Sequence, residues 1–532
     1  MKPSVKIVLI TFGTLLFNII FWQEKIALNA AFFDLFILGS VFYLYPASFK
    51  PPVMKWLLAA NLVTLAAVLF HNTFLSKLAF CSTLMLVVVF SQYLHRSVWY
   101  AAASALTNYL FAPASLLNSL KTLQRRQFSL YLFKKSIRFL VIPSVLVIVF
   151  FVLYNFANAM FQDIINGLAL AFQNYFSKFF EWFSWERTGF LLLGLFITTG
   201  LLLKSSVSYF STSDIQKSDE LRRKKNNLST WKKSSWFELL YLIMGKFADG
   251  IMALRNENTT GLISLVLLNI LLLCINCIDV VYVWFGFKYD HNINLSAYVH
   301  EGAGLLIFSI LLAMVLLLFF FRGNLNFYKK NKWLRYGAYA WLIQNAVLVV
   351  SVLFRDYYYI VHFGLAYKRI GVLIFLVMVL VGLLTVFIKI QQQKTAYYLL
   401  RINAWVAIFI LVIASCIHWD DTIARYNLAH KDSIELDVKF LLTLSDKTLP
   451  LLQKNIGLLD HATTIEGSEG ELLYRSNLSP REVFEQRKRT FEESQNSYSW
   501  LSWNAADAYT KQQLAKALTN TSAKITSDHN SQ

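Results

Sequence analysis

The chain has 532 residues, 56% of them hydrophobic and only 15% charged, which argues against a set of soluble domains. Such domains carry roughly a quarter charged residues and have no core able to hide so many long apolar runs. The net charge of +19 would suit nucleic acid if the cations formed a patch. They lie instead in short loops between apolar runs, so the expected partner is the lipid bilayer and no nucleic acid is expected.

The fold class expected is all-α: a polytopic transmembrane helical bundle with a small, helical, water-soluble C-terminal tail. A bilayer core of about 30 Å takes about 20 helical residues. Eleven segments meet that test: 7–22, 27–45, 56–71, 75–94, 139–160, 188–203, 261–285, 300–321, 334–354, 370–390 and 398–418. The first follows Lys2 and Lys6 as in a signal peptide, but no small-x-small cleavage site follows, so it reads as an uncleaved helix.

The apolar stretch 98–117, interrupted by Ser104, Thr107, Asn108 and Pro113, decides the parity. If it does not cross, the basic residues of every connecting loop fall on one side. These include Lys50, Lys55, Arg96, Arg125, Arg222, Lys224, Arg322, Lys330, Lys389 and Lys394. By the positive-inside rule the N-terminus is then cytoplasmic and the tail extracytoplasmic, in a bacterial inner membrane. Residues 98–117 are read as interfacial or re-entrant. The stretches 161–187 and 234–254 carry aromatic and aliphatic residues at helical spacing, as amphipathic helices lying along the membrane surface do, and as lid or packing helices also do.

The domain organisation expected is N-terminal membrane hairpins at 1–95, a basic cytoplasmic segment at 96–138, and a main bundle at 139–418 with a basic loop at 204–260. A helical extracytoplasmic module at 419–519 and a disordered tail at 520–532 complete it. In the module, IELDVKFLLTL reads as a helix ending near Pro450. Ser479-Pro480 starts another, and SWLSWNAADAYTKQQLAKAL a third. Four cysteines, Cys81, Cys274, Cys277 and Cys416, all lie in apolar segments and read as buried thiols. The lone C-x-x-C has no second pair to make a zinc site.

Four strings carry a resemblance: SAYVHEGAGLLIF at 296–308, YYIVHFGLAYKRIGVLIF at 358–375, DDTIARYNL at 420–428 and WLSWNAADAY at 500–509. They resemble a bacterial family of multi-spanning membrane proteins whose shared domain has no known function. The resemblance covers roughly the C-terminal two-thirds, the N-terminal third matching only in hydropathy. It implies the architecture and no particular activity.

Ionisable groups at membrane depth are costly and are functional suspects by default. The expected topology brings Asp279, His300, Glu301, Arg355, Asp356, His362, His418, Asp420, Asp421 and Arg425 to the outer boundary. One reading is an ion-pair network that fixes the C-terminal spans and docks the tail, with Arg355 or Arg425 paired to Asp279 or Glu301. A second is a metal or hydrolytic site on His300, Glu301, His362 and one carboxylate, although H-E-x-x-H is missing. A third is a solute or proton path past Asp279, Asn269, Asn276, Gln344, Asn345, Arg401 and Asn403, although neither an inverted repeat nor a pair of broken spans accompanies it. No Walker A, dinucleotide fingerprint or G-x-S-x-G is present, so no cofactor and no soluble enzymology are expected. The reading is a scaffold or sensor-like membrane component whose tail meets an envelope protein. The alternatives are a carrier of a small solute or protons, and a membrane-embedded enzyme.

Overall fold

The computed structural model describes residues 3–123, 184–223, 254–285, 295–321, 324–461 and 479–516, with scattered positions between 143 and 168. The expected span at 139–160 and most of the two surface stretches lie outside the described residues. So do the side chains of His300 and Glu301 and the tail beyond 516. The architecture is all-α, a polytopic helical bundle. Helices are the local solution that an apolar solvent imposes, because each backbone N–H and C=O must find its partner within the segment. The chain divides into two compact units, residues 1–25, 29–50 and 104–208 in one and the remainder in the other.

In the first unit, α1 (Pro3–Phe21) and α2 (Leu28–Leu44) form a hairpin. Asn29 closes it, its Nδ2 donating to Ile20 O at 2.9 Å and Lys25 O at 2.8 Å. The stretch 98–117 is two helices, α5 (Val98–Leu110) and α6 (Ala112–Leu123), parted at Phe111. Pro113 sits in the first turn of α6, where its missing N–H costs no hydrogen bond. Helix α7 (Trp185–Leu202) is N-capped by Ser184 and packs on α1, with the Phe17 and Phe190 rings 5.1 Å apart. Gly200 lets α7 approach the Tyr109 ring, since a Cβ there would lie 2.3 Å from its Cε1.

In the second unit, α3 (Pro52–Phe70) and α4 (Phe74–Gln92) form a hairpin whose turn carries a Thr73–Ser76 capping box. Thr64, Thr83 and Asn61 hydrogen-bond across it at 2.9 and 3.2 Å. There follow α8 (Tyr209–Gln216), α9 (Leu254–Asp279), α10 (Leu295–Phe320), α11 (Lys332–Phe363), α12 (Tyr367–Gln391) and α13 (Ala396–Ser415). Helix α9 continues as a π-helical turn, Val280–Phe285. Leu265, Ile310, Leu317, Val349, Leu376 and Val386 form the core where α9 to α12 meet. Helix α13 packs back on the α3–α4 hairpin through Phe90 and Trp405, ring centroids 5.5 Å apart.

Among the described residues six helices are long and apolar enough to cross a membrane, and three shorter apolar helices accompany them. Their outer faces expose large apolar side chains such as Leu267, Ile270, Leu305, Phe308 and Phe409, a surface that lipid suits and water does not. The cysteines depart from expectation. All four are exposed on these faces rather than buried, because the apolar segments that hold them turn one side outward.

The C-terminal module contains α14 (Trp419–Ala429), α15 (Val438–Thr443), α16 (Leu449–Lys454), α17 (Gly457–His461), α18 (Pro480–Ser497) and α19 (505–516). Ser479 and Glu482 form a capping box at the Ser-Pro start, as the sequence implies. Pro450, by contrast, opens α16 instead of ending the preceding helix, which stops at Thr443. Ile423, Ala424, Leu441, Leu449, Phe484, Phe491 and Leu514 make one core with Ile370 of α12.

Replacing Gly200 by Val should lower the thermal unfolding midpoint of the protein in detergent, through overpacking of about 1–3 kcal/mol against Tyr109. An unchanged midpoint would mean that the two helices stand further apart than described.

Candidate functional site

The polar residues expected at one boundary fall into separate groups, each built at a helix end. Asp279 closes the α-helical part of α9, and Arg355 reaches it from α11 with Nη2 2.6 Å from Oδ1. Both side chains are nearly buried, at 5% and 11% exposure. Asp356, the next residue, is buried and feels the charge of Arg369. Arg369 folds back onto the end of α11, donating to Phe363 O at 2.8 Å and to Gly364 O, and lies 4.1 Å over the Tyr359 ring. A cation there satisfies the last carbonyls and opposes the negative end of the helix dipole. His362 contributes locally, with Nδ1 2.8 Å from Tyr358 O, while its carbonyl accepts from Glu435 N at 3.1 Å.

The turn between α11 and α12 is held from α14. Gly364 has φ +77°, and a Cβ there would lie 2.5 Å from Asn427 Oδ1. Asn427 clamps the next residue at both ends: Leu365 N donates to Oδ1 at 2.6 Å, and Nδ2 donates to Leu365 O at 2.9 Å. Tyr367 OH donates to Asp420 Oδ1, which also accepts from Ser445 N at 3.3 Å. His418 caps α14, its Nδ1 accepting from Asp421 N at 3.1 Å, so the ring is neutral at that nitrogen. Asp421 and Arg425 pair at 2.6 Å across one turn, 33% and 59% exposed, a geometry worth only a few tenths of a kcal/mol.

Lys447 donates to His71 O and, at 2.6 Å, to Asn72 O, satisfying the end of α3. The His71 and His418 rings lie 5.8 Å apart. The structure thus brings His418, Asp420 and Asp421 next to residues that sequence reasoning missed: His71, Tyr367, Asn427 and Lys447. Only Tyr367 and Asn427 had a signal, their places in the HFGLAYKR and IARYN strings. No three His, Cys, Asp or Glu among the described residues gather as a metal site would require.

A second polar knot, also missed, ties the chain between α4 and α5 to α8 and α13. The buried Asp214 accepts from His95 Nδ1 at 3.0 Å, Arg96 N at 2.7 Å, Ser97 N at 3.1 Å and Tyr397 OH at 2.5 Å. Burial pushes its carboxyl up, but these hydrogen bonds together outweigh it and hold the group below its ordinary 3.8. Asp219 accepts from Arg96 at 2.7 Å and Arg401 at 2.8 Å. Arg401, expected on a transport path, is thus engaged in this knot.

With the clamp between the two strings in view, the comparison is decisive: the family described as a domain of unknown function, DUF4153, matches residues 36–455. The chain belongs to this family. The match begins well inside the N-terminal third, earlier than the four strings suggest, and ends before the WLSWN string at 500–504. Comparison with curated proteins found no match, and neither did comparison with solved structures.

Two outcomes follow from this geometry. Arg355→Met leaves a buried carboxylate unpaired and should cost about 3–5 kcal/mol, whereas adding Asp279→Leu should recover most of it. Chemical or thermal unfolding in detergent measures both, and a double variant as unstable as the single would contradict the pairing.

The second concerns pH. Burial first, then the Lys447 charge, depresses His418, and burial likewise depresses His71, both below the ordinary 6.5. The unfolded chain therefore binds more protons as pH falls through this range, and the stability present above about 6.5 is lost below it. The unfolding midpoint should drop on acidification from neutrality. His418→Asn, which retains a capping side chain, should flatten that dependence.

Proposed function

We propose that the protein is a scaffold of the bacterial inner membrane, with its N-terminus cytoplasmic. Its C-terminal module (419–516) is held fast on the extracytoplasmic ends of the spans to engage an envelope protein. The observation that carries this reading is the interlock of α14 with the α11–α12 turn. Asn427 grips the Leu365 main chain, Tyr367 binds Asp420, and Ile370 enters the module's core. Of the carboxylates expected at the boundary, Asp279, Asp420 and Asp421 are engaged by Arg, Tyr and main-chain donors, which favours structural work over catalysis. A partner surface is available on the module, where Trp500, Trp503 and Tyr509 stay at least half exposed, residue types enriched in interfaces.

One observation favours a second reading, a carrier: a line of amides, Asn269, Gln344 and Asn276, runs between α9 and α11 toward Asp279.

A photoreactive residue at position 500 of the full chain should crosslink an envelope protein in cells. Asn427→Ala should weaken that adduct while the spans still insert. A periplasm-active reporter fused after Gln532 should be active, and one inserted in the 217–233 loop silent. Absence of any adduct with the inserted full chain would remove the scaffold reading; reversed reporters would remove the orientation.

A further inference from the structure

Helices α9 and α11 meet along amide side chains set in otherwise apolar spans. The orientation of each amide follows from its neighbours. Asn269 Nδ2 donates to Leu265 O at 2.7 Å and Gly337 O at 3.0 Å. Turned over, its oxygen would face two carbonyls, so the amide is fixed. Asn269 Oδ1 then accepts from Gln344 Nε2 at 2.8 Å. That contact fixes Gln344 in turn and leaves its Oε1 buried without a donor. One step along, Asn276 Nδ2 donates to Gln344 O at 3.1 Å, and its Oδ1 is likewise buried without a donor. Asp279, one turn further on α9, takes Arg355 on Oδ1 and leaves Oδ2 in the same condition.

Three acceptor oxygens therefore lie along one helix interface with no donor reaching any of them, on side chains as buried as Asn276 (5% exposed) and Asp279 (4%). Native proteins seldom leave such groups unmet, and a bound water or ion is one way of meeting them. At the same point α9 passes into its π turn, which widens the helix and recurs at functional sites.

Charge decides between water and a cation. Arg355 already neutralises Asp279, and Arg369 faces Asp356. A metal cation would leave net positive charge in an apolar span, where desolvation is severe. Water supplies donors and no charge. Each water has two O–H groups, so three acceptors call for more than one.

We propose that the α9–α11 interface is a water-binding site, a short file of internal waters donating to Gln344 Oε1, Asn276 Oδ1 and Asp279 Oδ2. It places a proton-donating contact on an intramembrane carboxylate, the element a proton relay requires. The site stands apart from the scaffold reading, since neither the module nor the orientation enters into it.

Radiolytic hydroxyl labelling of the full chain in detergent, carried out in ¹⁸O-water, tests it, because bound waters label buried neighbours that bulk solvent does not reach. Leu272 and Leu348 lie one turn from Asn276 and Gln344, and both are buried. They should take up ¹⁸O several-fold faster than Leu376 and Val386, which are equally buried and away from these amides. Asn276→Leu with Gln344→Met should bring them down to the same background. Background labelling in the unmodified chain overturns the proposal whatever the variant does. Suppression of the labelling by millimolar sodium overturns it in favour of a cation.

Discussion

In an apolar solvent a helix can satisfy its own backbone everywhere except at its ends, and this constraint governs where the chain spends its polar side chains. Arg369 takes the last carbonyls of α11, Lys447 takes the two carbonyls just past the end of α3, and the buried Lys389 donates to Phe321 O at 2.6 Å, just past the end of α10. At helix starts the signs reverse. His418 and Ser184 accept from first-turn amides of α14 and α7, and Asp214 accepts from the two amides that precede α5. Cations meet carbonyls and acceptors meet N–H groups, as the helix dipole also favours. Much of the charge that might be taken for chemistry is doing this work.

Two arginine–aspartate pairs of equal length show how environment changes the meaning of one contact. Arg355–Asp279 and Arg425–Asp421 both close at 2.6 Å. The first is nearly sealed from solvent, so removing either partner strands a charge, and the pair acts as a registry pin between α9 and α11. The second lies along one exposed turn of α14 and links nothing beyond that helix. What joins α14 to the bundle is Asn427, an uncharged side chain, with Asp420 held by Tyr367 and Ile370 packed against Ile423 and Ala424. The two hydrogen bonds between Asn427 and the Leu365 main chain fix the turn at Gly364, whose left-handed backbone leaves no room for a Cβ.

The helices were legible because apolar length is a property of each segment alone. The partnerships were less so. Asp279 and Arg355 are 76 residues apart, and only the expectation of a shared boundary suggested their pairing. Lys447 and Asn72 are 375 apart, and no periodicity or motif links them. Pro450 misled for a different reason: proline both ends helices and suits their first turns, and the local string does not say which. The break at Phe111 was foreshadowed by Pro113, whereas the outward-facing cysteines were not. An apolar run looks alike whether a given position faces lipid or a neighbouring helix.

The module's core bears on where the structural domain ends. The family match stops at residue 455, just beyond α16. Yet Leu441, Leu449 and Ile370 are covered by Phe484, Phe491 and Leu514, which α18 and α19 contribute from beyond that limit. A chain cut at 455 would uncover the apolar face of α15 and α16 beside the span ends. Burial of aromatic and aliphatic side chains at about 25 cal/mol per Å² makes such exposure costly. The packed module around this core therefore extends past the family match to take in α17, α18 and α19.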